Sequence, residues 1–434
     1  MSFRSFAFLA LSVAMSGAGA PGFADGGSPP AAPPQEVQRE KDRHSHPSTH
    51  ATVPAQPAPA AVETPVAGAV EKAVEEGSFP HSLQIPGTEL SVAFGGYLKA
   101  DVIQDFDAIG DATQFKTNTI PAEGTAAAAE EGRTTIQANE TRLNLDLRSN
   151  AGFRAFVEGD FFGSSGGFRL RHAYGELRGL LAGQTWTTFQ DISARPQTLD
   201  FEGPDGEVFV RQSLVRYTHG FSPAWKWAVA VENPTSQVAI PQGLVGSVKS
   251  DLPDFVTSLR HQGERSHFRA ATIVRQIRFA GGPDVSDESA AGWGVNLSAV
   301  LKVGGSGELR AQYAVGDGIS RYIESLSGQN ADAVLAAADG LTTLPSQAAV
   351  VGYILNWTPK LRSGLAYSWA DLDGESLLAG SSIATTQDVR VNLIHKPYEL
   401  VEVGGELLWG RRENQDGTRG DAVRGLFSVI YHFN

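Results

Sequence analysis

The stretch FRAFVEGDFFG (residues 153–163) shows most directly how this chain folds, because apolar and charged side chains alternate along it. Phe153 and Val157 fall on one side and Arg154 on the other. Alternation with a period of two is typical of a strand with one apolar and one charged face. A Gly/Ser turn and a second such run, RLRHAYGELRG (residues 169–179), follow, and together the two runs predict a hairpin. Recurrent arginines and carboxylates on these strands indicate a polar interior, whereas a soluble sandwich would bury apolar side chains there.

Runs of the same kind recur through the chain and predict a barrel. Outer-membrane strands need about ten residues of alternating apolar and polar character, joined in turn by tight turns and longer loops. The connections ENP, WTPKL and HKPYE are short, whereas residues 105–134, 233–253 and 317–346 form long ones. Counting the weaker runs gives about 16 strands, an even number as such barrels require. The weaker runs are residues 254–262, 266–279, 347–358 and 361–371.

The last strand indicates how the sheet closes. Val423, Phe427, Val429, Tyr431 and Phe433 form one apolar face that reaches almost to the final residue. Lipid cannot satisfy the hydrogen bonds of an open sheet edge, so a membrane barrel must close on itself. An aromatic strand of this kind is the usual closing strand. The predicted fold class is therefore all-β: a transmembrane antiparallel β-barrel of about 16 strands with a constriction loop, preceded by a Pro/Ala-rich N-terminal arm.

Composition and charge limit the function classes. The chain has 434 residues, a formal net charge of -13 and no Cys. Without Cys, disulfides and thiolate metal sites are excluded, and the acidic balance argues against nucleic acid as a partner. No GxSxG elbow accompanies the Ser, His and Asp residues, so no catalytic residue is assigned. We expect no cofactor and no metal site, because His44, His46 and His50 lie in a tract that does not fix their geometry.

Two segments precede the predicted barrel. Arg4 and the apolar run of residues 6–15, followed by small residues, predict a secretory signal peptide over residues 1–24, with cleavage four residues earlier as the alternative. The apolar run is too short to span a bilayer as a helix. Residues 25–84 hold few large apolar side chains, so we expect a disordered or partly helical arm. The barrel domain is assigned to residues 85–434.

Six blocks of the sequence carry a resemblance to a known family: GGYLKADVIQDF (residues 95–106), GDFFG (159–163), RLRHAYGEL (169–177), LAGQTWTTF (181–189), DFEGPDG (200–206) and RQSLVRYTHG (211–220). In this order they resemble the DcaP-like family of outer-membrane porins, and a match of several ordered blocks is more specific than a short motif. The resemblance implies a homotrimeric barrel in the Gram-negative outer membrane, in contact with outer-membrane lipids and lipopolysaccharide. It also implies transport of small anionic, dicarboxylate-type solutes. The family usually has a coiled coil before its barrel, whereas here residues 66–77 would make only about three helical turns.

A pore selects by the charge and the width of its lining, and arginine dominates the inward positions of the predicted strands. Any single arginine could instead be a structural partner of a lumenal carboxylate, but the whole set favours an anion path. We expect residues 187–206 to form the constriction loop, with Arg195 and Asp200 at the eyelet; the alternative is an ordinary surface loop. The phase of residues 167–178 and 207–218 is ambiguous, and a bulge would reconcile the first. The predicted lining residues are Arg142, Arg148, Arg154, Glu158, Asp160, Arg269, Arg275, Arg310 and Arg390.

Two functions from different classes remain open. The first is a porin that gives passive diffusion of small anions, namely dicarboxylates or related organic acids. The second is an outer-membrane barrel with a plugged lumen and a structural or adhesive role. Steady conductance across a planar bilayer separates the two functions, because a plugged barrel passes no current.

Overall fold

The structure, a computed structural model, describes residues 75–433 apart from residues 131, 283–285, 337–339 and 375–376. The described residues form sixteen long strands, β1 to β16, each antiparallel to its neighbours. The strands are β1 (Leu90–Asp105), β2 (Arg142–Ser149), β3 (Phe153–Asp160), β4 (Arg169–Leu177), β5 (Leu180–Trp186), β6 (Arg211–Gly220), β7 (Trp225–Glu232), β8 (Asp254–Gln262), β9 (Ser266–Gly281), β10 (Glu288–Val303), β11 (Gly307–Asp317), β12 (Pro345–Thr358), β13 (Leu361–Leu372), β14 (Ile383–Tyr398), β15 (Val401–Asn414) and β16 (Arg419–Phe433).

The sheet closes through its first and last strands. β16 pairs with β1 from Gly96 opposite Phe433 to Asp105 opposite Arg424, and β1 pairs on its other side with β2. Each remaining strand pairs with the strands before and after it in the chain. The predicted all-β barrel of about 16 strands, closed by the aromatic last strand, is confirmed.

One face of the barrel is apolar and exposed. Leu365 and Tyr431 are each 53% exposed, and Trp225 and Trp293 also point outward. Trp409 lies on the same face of β15 as the exposed Leu407. An outward apolar band with aromatic residues is what the hydrocarbon of an outer membrane requires.

Short turns join the strands at one end of the barrel and longer loops at the other. The turn between β4 and β5 consists of Arg178 and Gly179, with φ angles of 51° and 86°, as a tight hairpin turn with two left-handed residues requires. The longest connections lie between β1 and β2, between β5 and β6, and between β11 and β12. β1 begins and β16 ends at the turn end, which in outer-membrane barrels faces the periplasm.

A bulge resolves the ambiguous phase of β4. Glu158 pairs with His172 and Gly159 with Leu170, so Arg171 is the extra residue on this strand. Arg171 and His172 are both buried inside the barrel, although strict alternation would turn one of them outward. The bulge therefore turns Arg169 and Arg171, before it, and His172, Tyr174 and Glu176, after it, towards the lumen.

Three loops fold into the barrel: the first loop (residues 106–133), the inner loop (187–210) and the third loop (318–344). Phe115 of the first loop and Leu199 of the inner loop share a buried cluster with Leu408 of β15. Phe189 of the inner loop shares another with Ile273 of β9. The sequence pattern predicted a polar interior, but the interior of the barrel is not uniformly polar. Apolar inward residues form the patches on which the loops pack.

Residues 75–84 form a tight hairpin-like turn, in which Glu76 bridges Leu83 and the N–H of Gly77 donates to the carbonyl of Ser82 at 2.8 Å. The strand Leu83–Gln84 pairs with β1, and the N–H of Gln84 donates to the carbonyl of Glu75 at 2.8 Å. The ring of Phe79 lies 4.3 Å from the guanidinium carbon of Arg148. This described part of the predicted arm therefore consists of a turn and a short strand. Its remaining residues and the signal peptide lie outside the described residues.

Shorter elements complete the fold. No helix of the described residues is long and apolar enough to cross a membrane. The short strands are Thr134–Gln137 on β1, Gly246–Lys249 on β9, and a separate sheet of Val238–Ala239, Ala333–Ala336 and Gly340–Thr343. The 3-10 helices are Thr117–Thr119, Ala126–Ala129, Ser164–Gly166, Ile192–Ala194, Ser320–Tyr322 and Glu324–Leu326.

Candidate functional site

The inner loop follows the inner wall far from the two strands that it joins. Asp191 accepts a hydrogen bond from His267 of β9 at 2.6 Å. Further along, the backbone N–H groups of Leu199 and Asp200 donate to Glu406 of β15, at 2.9 and 2.7 Å. The loop therefore folds into the lumen, as predicted, and does not lie on the surface.

Two of the predicted lining arginines project from the barrel wall and bind the loops that pack against it. Arg390 of β14 donates from Nε to Asp388 at 2.6 Å and from Nη1 to Asp200 of the inner loop at 3.2 Å. Arg275 of β9 donates to Asp332 of the third loop at 3.0 Å. The side chains of Arg390, Arg275 and Asp200 are at most 1% exposed, so a solute cannot touch them. The prediction that these three residues line the pathway or the eyelet is corrected: they hold the loops against the wall.

Four arginines converge on the inner faces of β2, β4 and β6. These residues, Arg142, Arg169, Arg171 and Arg211, are called the arginine cluster. The guanidinium carbons of the first three lie 5.9, 5.5 and 5.3 Å from the ring centre of Phe201 in the inner loop. Cations at such distances are attracted to the face of an aromatic ring. The cluster therefore faces the inner loop across an aromatic contact.

Two carboxylates of β3 neutralise part of this charge. Asp160 accepts hydrogen bonds from Arg169, at 3.0 and 2.8 Å, and from Arg171, at 2.7 Å. Glu158 accepts from Arg171 at 3.1 Å and lies 3.9 Å from Arg142. Both predicted lining carboxylates are thus present at the cluster, and both are already occupied by arginine.

The predicted lining set did not include Arg169, Arg171 or Arg211 of the cluster. Arg211 lies between two aromatic rings. Its guanidinium carbon lies 4.6 Å from the ring centre of Trp186 and 5.6 Å from that of Phe209. In the described part of the chain Arg211 has no ion pair, and its Nη1 is buried without a hydrogen-bond partner. It opens β6 directly after the inner loop, where the alternation had no fixed phase. The aromatic residues beside it in the sequence were the available signal.

Arg148 and Arg154 share one carboxylate near the turn end. Each donates twice to Asp146, with N–O distances between 2.6 and 3.1 Å. Their side chains remain 42% and 33% exposed. These two predicted lining residues therefore stay within reach of a solute.

The other predicted arginines hold the inner loop by its backbone. Arg310 of β11 donates to the carbonyl of Arg195 at 2.5 Å, and Arg269 of β9 donates to the carbonyl of Thr188 at 2.6 Å. Arg195 itself donates from Nε to Glu207 at 2.9 Å, and its side chain is 19% exposed. Among these residues, Arg195 is therefore placed on the loop itself, as an eyelet residue would be.

Three loop carboxylates form an acidic group: Glu202 and Glu207 of the inner loop and Glu324 of the third loop. Burial raises the pKa of Glu207 to about 7, despite the Arg195 guanidinium beside it. Burial, together with the charge of Glu207, raises the pKa of Glu324 to about 7, and burial and Glu324 raise the pKa of Glu202. Near pH 7 the loops therefore carry less negative charge than their composition implies.

Comparisons with known proteins agree with this architecture. A model of the DcaP outer membrane protein family matches residues 81–433. Among solved structures, the outer membrane channel DcaP of Acinetobacter baumannii has a TM-score of 0.70 at 23% identity, covering 81% of this chain and 99% of that chain. The anion-selective porin from Comamonas acidovorans has a TM-score of 0.52 at 12% identity, covering 80% and 100%. Both likenesses show the fold. No curated protein matches the chain.

Proposed function

Since the chain belongs to the DcaP outer membrane protein family and is a porin of the Gram-negative outer membrane, we propose that its solutes are small organic anions. Dicarboxylates or related acids would cross it by passive diffusion, as the resemblance of its sequence blocks to this family implies. On the same ground we propose a homotrimer embedded in outer-membrane lipids and lipopolysaccharide. The proposal includes a signal peptide over residues 1–24, an arm, and a barrel domain.

An excess of guanidinium groups on the inner wall formed by β2 to β6 carries the proposal. The carboxylates Asp146, Glu158 and Asp160 of this wall already accept hydrogen bonds from arginine. A passing cation finds these acids occupied, whereas a passing anion meets guanidinium forks suited to carboxylate geometry. The inward arginines are Arg142, Arg148, Arg154, Arg169, Arg171, Arg211 and Arg216, against the inward carboxylates Asp146, Glu158, Asp160 and Glu176.

The net charge of -13 is compatible with anion transport. Acidic residues at the loop end, such as Asp287 and Asp421, have side chains that are 55% and 37% exposed. Exposed charges are screened beyond a Debye length of about 8 Å at physiological ionic strength. The field along the pathway is instead set by the lining, because walls of low dielectric focus it.

A reversal-potential measurement in a KCl gradient across a planar bilayer tests the proposal. We expect the sign for anion preference, and we expect succinate to reduce the chloride current. Arg142→Gln and Arg211→Gln should each lower the anion-to-cation permeability ratio. The control is Arg411→Gln, which removes an arginine that pairs with Asp421 at the loop end. A cation-selective reversal potential would reject the anion proposal, and the lack of any steady current would favour a plugged barrel.

A further inference from the structure

A second group of cations lines a cavity near the turn end of the barrel. The cavity has a volume of about 270 Å³ and lies between β6, β7, β8 and β9 and the first residues of the inner loop. Four basic side chains line it: Arg216 of β6, Lys226 of β7, Arg260 of β8 and Arg269 of β9. We call this space the basic cavity. None of its cations belongs to the arginine cluster.

Three of these cations stand side by side on adjacent strands. In the register of the barrel, Lys226 pairs with Arg260, and Arg260 pairs with Arg269. Like charges directly opposite each other on neighbouring strands are destabilising. The arrangement is therefore unfavourable by itself and becomes favourable when an anion lies among the three side chains.

The protein supplies these cations with no carboxylate partner. Across the described residues, none of the four has a carboxylate within 4.0 Å, and the side chains of Arg216 and Lys226 make no hydrogen bond. Arg269 donates to one carbonyl and one hydroxyl, at 2.6 and 3.1 Å, and its Nε is buried without a partner. Arg260 donates to a His ring and a Gln side chain, at 3.2 and 2.8 Å. The four cations are therefore not neutralised by direct ion pairs within the described residues.

The acid at the rim of the cavity is already satisfied. Asp191 is the one carboxylate among the described residues that line it. Its side chain accepts from His267 at 2.6 Å, from Ser298 at 2.5 Å and from the N–H of Ser193 at 3.2 Å. Against the effect of burial, the hydrogen bonds from His267 and Ser298 lower the pKa of Asp191 to about 2. It is therefore ionised and engaged, and four cations face this single fixed charge.

We propose that the basic cavity binds a small divalent organic anion, a dicarboxylate, as a second station of the pathway near the turn end. The inference rests on the proposed function for the class of solute. Two carboxylates would each find guanidinium or ammonium donors among the four cations. The carbon chain between them would meet Trp186 and Ile192, which also line the cavity. Conduction through a pore requires sites that hold an ion without trapping it, and a station beyond the arginine cluster fits that requirement.

Calorimetric titration of the full chain in detergent micelles, with succinate as the probe, measures this site directly. Butyrate is the matched monovalent anion. We expect succinate to bind at least about tenfold more tightly than butyrate, because its second carboxylate adds a charge-assisted contact. The double variant Arg216→Gln/Arg260→Gln should weaken succinate binding by about tenfold or more, since the substitutions remove two of the four cations that line the cavity. The control, Arg278→Gln/Arg411→Gln, removes the same charge from side chains that pair with acids at the loop end and should leave the affinity unchanged.

The outcomes separate this proposal from the proposed function. Equal affinities for succinate and butyrate in the unmodified protein, or an unchanged affinity in Arg216→Gln/Arg260→Gln, would overturn the divalent-anion site. Cation preference in the reversal potential would instead reject the proposed function, whatever the titration shows. Heat-modifiable migration in gels reports whether each variant is a folded barrel. If the double variant does not fold, the single variants Arg216→Gln and Lys226→Gln decide the question, with a loss of about threefold expected for each.

Discussion

Arg390 of β14 donates a hydrogen bond from Nη1 to Oδ1 of Asp200 in the inner loop, at 3.2 Å, and both side chains are buried. The two residues come from distant parts of the chain. The inner loop joins β5 and β6, but this bond to β14 holds it inside the barrel. A distant part of the wall therefore sets how deeply the loop enters the lumen. Asp388, on the same strand, accepts from Nε of Arg390 at 2.6 Å, so the buried cation is balanced from two sides.

Replacing Arg390 should loosen the inner loop. Arg390→Met leaves Asp388 buried without its cation and leaves Asp200 with Arg424 alone, 3.8 Å away. Removing one partner of a buried ion pair costs about 3–5 kcal/mol. We expect a lower urea midpoint for barrel unfolding, together with larger current fluctuations in single-channel records as the loop leaves the wall.

A double variant and an exposed pair provide the controls for this prediction. Arg390→Met/Asp200→Asn should be less destabilised than Arg390→Met, because one of the two buried carboxylates that Arg390 balances is gone. Arg411→Met breaks a half-exposed pair with Asp421, and surface pairs contribute about 0–1 kcal/mol. Equal destabilisation by Arg390→Met and Arg411→Met would contradict an anchoring role for Arg390.

Selectivity should depend on pH through the loop carboxylates. Burial raises the pKa values of Glu207 and Glu324 to about 7, so both carboxyls are largely ionised at pH 8 and largely neutral at pH 6. We expect the anion-to-cation permeability ratio to increase from pH 8 to pH 6. In Glu207→Gln/Glu324→Gln the ratio should be high at both values. A ratio that still changes with pH in this variant would assign the effect to other groups.

The same pKa values predict the pH dependence of stability. A carboxyl whose pKa is raised in the folded state binds its proton more tightly there than in the unfolded chain. Its contribution to the free energy of unfolding is therefore present below the ordinary pKa of 4.5 and is lost as the pH rises through about 7. Urea midpoints measured from pH 4.5 to pH 8 should fall across this interval, and by less in Glu207→Gln/Glu324→Gln.

Arginines at the lumen surface and buried arginines should behave differently on substitution. A unit charge about 4 Å from an ion in water contributes about 1 kcal/mol, so Arg142→Gln or Arg211→Gln should lower the permeability ratio by about fivefold. Arg275→Met should lower stability without changing the selectivity of the channels that form, because its side chain is fully buried against Asp254 and Asp332. A change of reversal potential in Arg275→Met as large as that in Arg142→Gln would refute this distinction.

The features that the sequence predicted are those that repeat locally. Alternation with a period of two identifies each strand without knowledge of its neighbours. Summed over the chain, it predicted the strand number and the closure through the last strand, which ends at Phe433. At β4 the alternation is broken by one residue, Arg171, and the sequence could name the bulge as a possibility without locating it.

The roles of individual lumenal arginines could not be predicted from the same pattern. Arg142 and Arg275 both occupy inward positions, yet Arg142 lies 5.9 Å from the ring centre of Phe201 and Arg275 is buried beneath the third loop. The difference depends on the place where the third loop brings Asp332 into contact with the barrel wall. That contact joins distant parts of the chain, so the alternation of residues along β9 does not indicate it.

The N-terminal arm should be dispensable up to the residues that contact β1. Residues 25–74 hold few large apolar side chains, so deleting them should leave barrel insertion and conductance unchanged. Extending the deletion to residue 84 removes the pairing of Leu83 and Gln84 with β1, and should lower the free energy of unfolding by about 1–3 kcal/mol for the lost hydrogen bonds. Urea unfolding followed by tryptophan fluorescence compares the two truncations, and native gel migration compares their assembly. If the shorter deletion runs as a monomer where the full chain runs as a trimer, the arm is an assembly element and the prediction is wrong.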